Sequence, residues 1–334
     1  MTKKPRYVSH YYDARGKLRW RFRKAGLPES QTTEVFGSSE WWAWYAQALS
    51  ATPKSHANVE PGTIHALAIE YYRSSDFMKL KPSTRKTYKG ILDRYRQDHG
   101  AKPANRMEPR HIRKQMDDKA NEPAAANNML KVLRALMKFA VSRGLLQADP
   151  TYGVRMIAYA SDGFHTWTEA EIQAFESRWA IGTNERLGFD LLLYTAQRSA
   201  DVRRMTWKHV GDGRVIVTQE KTGQPIDIPI HPRLRTSLEV CTAGAGTIIK
   251  TKLGKSFSEK GFGNWVKKAA IAAGLPHCSA HGLRKAAARR LAEAGCTAHE
   301  IMSITGHQTL SEVERYTRDA SRKALADTAM NRII

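Results

Sequence analysis

The side chains able to do chemistry are scattered along a 334-residue chain. Thr195-Ala-Gln-Arg198-Ser-Ala-Asp201 sets a guanidinium three residues ahead of a carboxylate, and Lys221 stands in a Lys-Thr-Gly-Gln turn. His281-Gly-Leu-Arg284 pairs an imidazole with a second guanidinium, and Gly306-His307 precedes Tyr316 by nine residues. Cations and imidazoles attract and polarise an anion, and a phenol becomes a nucleophile once deprotonated. Other motifs fail on spacing. Gly254-Lys255-Ser256 lacks the glycine that a phosphate-binding loop needs at 249, where Ile249 stands, and Gly261-Phe-Gly-Asn lacks a third glycine. His277, Cys278 and His281 come without a matching second pair of ligands, so no metal and no cofactor is expected.

Taken in order, the Arg198, Lys221, His281/Arg284, Gly306-His307 and Tyr316 elements resemble the successive signatures of the tyrosine recombinase (phage integrase) family, over about residues 165–334. The resemblance implies a mainly α protein: a helical core-binding domain plus a mixed α/β catalytic domain, with a small N-terminal β-rich arm. It implies Tyr316 as nucleophile and Lys221 as general acid. It further implies cleavage and rejoining of double-stranded DNA at attachment sites through a 3′-phosphotyrosyl link, by a homotetramer that passes through a Holliday junction, with accessory DNA-bending proteins as possible partners. Two positions depart from the family's pattern, Ala196 where glycine is common and Arg318 where histidine is common, and neither is a reacting group. A type IB topoisomerase and a catalytically inactive DNA-binding regulator are the rival readings.

These residue types suit the reaction on physical grounds. In-line attack on a phosphodiester builds charge on the non-bridging oxygens, and preorganised cations must meet it there. Arg198 and Arg284 each present a rigid, permanently charged fork, and His307 is expected to add to this cationic set. A free phenol has a pKa near ~10, so Tyr316 needs a base, for which His281 titrates in the useful range. Asp201 either orients the Arg198 guanidinium or caps a short helix as a surface acid.

The elements that must position these groups can be read from charge and periodicity. With 54 Lys+Arg against 32 Asp+Glu, the formal net charge is +22, which points to a polyanionic partner. No run of eighteen apolar residues occurs, so no membrane partner is expected, and the N-terminus lacks the apolar core of a secretory signal. Three cysteines form no even framework; the expected location is cytoplasmic and nucleoid-associated, in a bacterial or phage setting.

Residues 1–24 hold nine basic side chains and one acid, Asp13, among aromatics. The alternation of Leu18, Trp20 and Phe22 with Arg19, Arg21 and Arg23 predicts a hairpin with one basic face. We therefore expect a basic arm and linker over 1–58, a helical core-binding domain over 59–155 and a catalytic domain over 156–334.

In the helical part, Tyr88, Ile91, Leu92 and Tyr95 follow i, i+3, i+4, i+7 spacing, with Arg85, Lys86 and Lys89 on the adjoining arc. A second helix, from about Asn127 to Arg143, carries Lys131, Arg134 and Lys138 on one polar stripe. Such stripes favour phosphate contact over base reading. Beyond Asp149-Pro150, Thr168-x-x-Glu171 has capping-box form, Leu187–Tyr194 reads as a buried helix, and 213–230 reads as two strands around the Lys221 turn. The amphipathic stretch 321–334 is expected to dock a neighbouring subunit or to pack on its own core.

Overall fold

Leu18, Trp20 and Phe22 turn inward and Arg19 and Arg21 outward, as period-two alternation requires of a strand. In the computed structural model this segment is the middle of a three-stranded antiparallel sheet. Its strands are β1 (Val8–Tyr12), β2 (Leu18–Phe22) and β3 (Ser30–Thr32). The third strand enlarges the expected hairpin. Helix α1 (Ser39–Ser50), capped by Ser38 Oγ on the Trp41 amide, lays Trp41 over Trp20 and Phe36 and completes a small aromatic core. The structure describes residues 4–13, 15–24, 27–51, 59–161, 163–241, 243–317, 326–327 and 329–333, the side chains of 315–317 excepted.

Contacts divide the chain into two units, Met1–Ala160 and Ser161–Ile334. After the sheet, the first unit holds α2 (Ile64–Arg73), α3 (Ser75–Met78), α4 (Pro82–His99), α5 (Pro109–Asp117) and α6 (Pro123–Ser142). Leu92 and Tyr95 of α4 and Leu130, Leu133, Leu136 and Met137 of α6 are buried together with Ile64, Tyr71 and Ile112. Tyr88 and Ile91 are half-buried at its edge. The segment that leaves α6 is tied back to it: Asn127 exchanges two hydrogen bonds of 2.9 Å with the backbone of Ile157, and Arg134 donates to the Val154 carbonyl at 2.6 Å.

The second unit runs α7 (Glu169–Arg178), α8 (Asn184–Thr195), α9 (Ser199–Val202), β4 (Val210–Gly211), β5 (Arg214–Thr218), β6 (Pro225–Pro229), α10 (Pro232–Glu239), α11 (Glu259–Ala272), α12 (Ala280–Glu293), α13 (Ala298–Thr305) and α14 (Leu310–Thr317). The Thr168–Glu171 capping box opens α7 in both directions. The hairpin gains a short third strand, so β4, β5 and β6 form an antiparallel sheet whose Val215, Val217, Ile226 and Ile228 face the core. α8 is buried nearly along its whole length, with α10, α11 and α12 packed on it. Among the described residues no helix is long and apolar enough to cross a membrane.

Candidate active site

The end of α8 begins the site. Ala196 caps it in the left-handed region, at φ +52°, which reverses the chain and aims the Ala196 carbonyl at α12. Arg284 Nη1 donates to that carbonyl at 2.6 Å and its Nη2 lies 2.8 Å from His307 Nε2, while the side chain as a whole is 1% exposed. His281 lies one helical turn before Arg284 on α12, so both fall on one face. Gly282 between them allows a close approach. A Cβ there would stand 2.2 Å from the His165 carbonyl oxygen, so only glycine lets this turn pack against the strand of chain beside it.

His307 follows Gly306, the left-handed cap of α13 at φ +70°. A guanidinium only donates, so His307 Nε2 accepts from Arg284, and its proton resides on Nδ1, 2.8 Å from Thr305 Oγ1. The Thr305 hydroxyl then donates to the Ile301 carbonyl at 2.7 Å. This arrangement corrects one expectation. Burial first, and then the Arg284 charge, push the His307 pKa down to about 3, so His307 is a neutral partner of Arg284 and adds no positive charge of its own at neutral pH. The His281 pKa is likewise lowered to about 4 by burial, then by Arg284, Lys285, Arg198 and Lys221. Those electrostatic neighbours bring together groups that stand more than 80 residues apart in the chain.

Arg198 is half-buried at the start of α9 and donates to Gln219 Oε1 at 2.6 Å. Asp201 does not orient it, contrary to one sequence reading, and it is not a surface acid, contrary to the other. It is 3% exposed and accepts the backbone amide of Glu220 at 2.8 Å, which fastens the turn that carries the exposed Lys221.

Sequence reasoning passed over Gln219. Its side chain is 1% exposed and its Nε2 donates to Gln197 Oε1 at 2.7 Å and to the Thr305 carbonyl at 2.9 Å. Arg198 and Thr222 donate to its Oε1. One buried amide thus joins the segments that carry Arg198, Lys221 and His307. Gln197 reinforces it through the Ile304 carbonyl at 2.8 Å. The available signal was a glutamine just past the C-terminal end of α8 and another just past that of β5, because a polar group that is buried must find partners. Glu312 was also missed. Burial works to raise its pKa, but backbone bonds at Gln308 and Thr309 and the nearby His307 and Lys221 leave it lowered.

Tyr316 falls in the last turn of α14, a helix that Val313 anchors among Ala288, Ala292 and Ile301; the Tyr316 side chain lies outside the described residues. Half of 321–334, namely 321–325, 328 and 334, lies outside them as well.

The DNA-facing candidates occupy the first unit. Lys86, Lys89, Lys131 and Lys138 are exposed, and Lys89 Nζ stands 5.6 Å from the centre of the Tyr72 ring. Arg85 is half-buried, with Nη1 against Met78 Sδ. Arg134 is engaged by the Val154 carbonyl, which takes it out of the expected stripe of unengaged cations. The basic face of the arm is also more compensated than its sequence suggests. Arg19 pairs with Asp13 at 2.7 Å, while Arg21 and Arg23 share Glu29 at 3.0 Å each.

Comparison with known proteins adds to this geometry. The phage integrase family model matches residues 168–323. The integrase of Escherichia phage HK022 is 22% identical over 276 residues, covering 78% of this chain and 77% of that protein. A shufflon-specific DNA recombinase of Escherichia coli is 25% identical over 213 residues, covering 61% of this chain and 54% of that protein. Among solved structures, a lambda integrase dimer bound to a COC′ core site superposes with a TM-score of 0.69 at 18% identity, over 96% of this chain and 97% of that one. A lambda integrase tetramer bound to a Holliday junction gives 0.67 at 19% identity, over 93% and 98%. The family model spans every one of the six motif positions from Arg198 to Tyr316, so residues 168–323 are similar to the phage integrase family.

Proposed function

We propose that this chain is a site-specific DNA recombinase that cleaves and rejoins strands through a covalent phosphotyrosine. The observation that carries the reading is the convergence of Arg198, Arg284, His281, His307 and the Lys221 turn on one pocket, with Gln219 binding the three segments together. A phosphodiester entering this pocket meets two guanidinium groups. It also adds a negative charge that offsets the cationic neighbours which, after burial, depress both imidazoles, so their pKa values rise on binding.

Tyr316 Oη attacks phosphorus and its proton passes to neutral His281. The bond from phosphorus to the 5′ oxygen breaks, and Lys221 delivers a proton to that oxygen. Arg198, Arg284 and the His307 imidazole stabilise the five-coordinate transition state. The products are a 3′-phosphotyrosyl link and a free 5′ hydroxyl, so a 5′ hydroxyl from a second duplex can reverse the step without an external energy source. The partners follow: double-stranded DNA bearing attachment sites, three further copies of the chain, and, as a finer proposal, accessory proteins that bend the DNA. Lys86, Lys89, Lys131 and Lys138 hold the backbone, and Arg19, Arg21 and Arg23 of the arm reach DNA by exchanging Asp13 and Glu29 for phosphate.

The test is a nicked suicide duplex carrying the attachment site, from which the 5′ product diffuses away. The wild-type chain accumulates a covalent adduct, and Tyr316→Phe binds the duplex without forming one. An adduct that persists in Tyr316→Phe overturns the assignment.

A further inference from the structure

His277 and Cys278 stand in the loop that enters α12, and their sequence neighbourhood offered no second pair of ligands. The fold supplies that pair. His165 and Glu171, from the start of the catalytic unit and the first turn of α7, meet them, and one donor atom from each of the four side chains lies within 4.8 Å of every other. We propose that His165, Glu171, His277 and Cys278 form a binding site for a zinc-type divalent ion, which clamps the entrance of α12 to the start of α7.

The donor set and its placement support this. His165 Nε2 lies 2.8 and 2.9 Å from the two Glu171 carboxylate oxygens, and His277 Nε2 lies 2.5 Å from Oε1. Both imidazoles thus aim the same nitrogen at one point. Cys278 is fully buried beneath them, while the His165 and His277 side chains are 39% and 52% exposed, which leaves a path for an ion from solvent. Two imidazoles, a thiolate and a carboxylate are the ligands of a borderline-soft ion and not of calcium or magnesium, which take oxygen donors. Tetrahedral zinc at its usual bond lengths needs donors about 3.3–3.8 Å apart. The imidazole–carboxylate contacts therefore open slightly and the thiol closes slightly.

One thiolate and one carboxylate neutralise a dication, so the loaded site tolerates the Lys267 ammonium that rests on the Pro276 and Cys278 carbonyls. Glu171 Oε2 also accepts the Thr168 amide at 2.7 Å, a second contact that fixes the carboxylate as outer-sphere partners of metal ligands do. The two segments are already in register. Trp167 Nε1 donates to the Ser279 carbonyl at 2.9 Å, and Gly282 packs on the His165 carbonyl. A metal here sits three residues before His281 and holds the helix that carries His281 and Arg284. This inference does not depend on the proposed recombination reaction.

The experiment uses the full-length chain, stripped with a chelator and titrated with zinc against a chromophoric competitor, with cobalt as a spectroscopic substitute. We expect one zinc per chain, a sulfur-to-cobalt charge-transfer band, and slower hydrogen exchange over 277–285 on loading. The His165→Ala/His277→Ala double variant should weaken binding at least about a hundredfold, and Cys278→Ser should abolish the charge-transfer band. Should the double variant fail to fold, the more exposed His277→Ala carries the same comparison. Failure of the wild-type chain to take up stoichiometric zinc, unchanged affinity in the histidine variants, or a cobalt complex without the thiolate band overturns the proposal and leaves a hydrogen-bonded cluster only. Adduct formation on the suicide duplex, measured separately, decides the recombinase reading whichever way zinc binding falls.

Discussion

A buried neutral imidazole held against a guanidinium makes the second unit sensitive to acid by an amount that can be worked out. In the unfolded chain a histidine titrates near ~6.5, whereas in the fold His307 is held down at about 3. Below the unfolded value the unfolded chain binds more protons. The contribution of His307 is therefore complete above about pH 6.5 and is lost progressively as pH falls toward its native value. At pH 5 the interval is about 1.5 units at about 1.36 kcal/mol each, so roughly 2 kcal/mol has gone. His281, held at about 4, loses a similar amount over the same window. Together these reach about 4 kcal/mol, a large part of the ~5–15 kcal/mol that keeps a domain folded.

His307→Gln preserves an oxygen that can accept from Arg284 and removes the titration. Urea unfolding of the full chain at pH 7, 6 and 5, with exchange protection of the α12 and α13 amides as the local readout, should show the variant losing about 2 kcal/mol less than wild type between pH 7 and 5. Equal losses in the two proteins would refute the reasoning, because they would mean that His307 is as easily protonated in the fold as out of it.

The other expectations concern geometry. Arg284→Ala or Arg284→Lys should slow single-turnover cleavage of the nicked duplex by about 10²–10³-fold, as removal of a preorganised donor does, and a rate within about tenfold of wild type would deny Arg284 its role. Gln219→Ala leaves Gln197 Oε1 and the Thr305 carbonyl without their donor. It should cost about 1–3 kcal/mol of stability and slow cleavage while DNA affinity holds; unchanged unfolding and cleavage would remove it as the positioning hub. Ala196 sits at φ +52°, where an L side chain is strained, so Ala196→Gly should raise stability by about 0.5–1 kcal/mol. A fall in unfolding midpoint would show that the alanine methyl contributes more by packing than the backbone loses.

The order of the candidate residues Arg198, Lys221, His281, Arg284, His307 and Tyr316 could be read directly from the chain, as could the helices bearing Leu92 and Leu133 and the capping box at Thr168. These signals are local. Caps, turns and apolar periodicity act across a few residues, so the letters alone carry them. Only the packing of α12 and α13 against the end of α8 decided that His307 is neutral, that Asp201 holds the Lys221 turn instead of Arg198, and that Gln219 ties three segments together. The same holds for the meeting of His165 and Glu171 with His277 and Cys278, and for Arg134, which a carbonyl twenty residues away takes out of an otherwise uniform basic stripe. Desolvation and pairing depend on what other parts of the chain bring to a residue, and nothing in a residue's own neighbourhood in sequence encodes that.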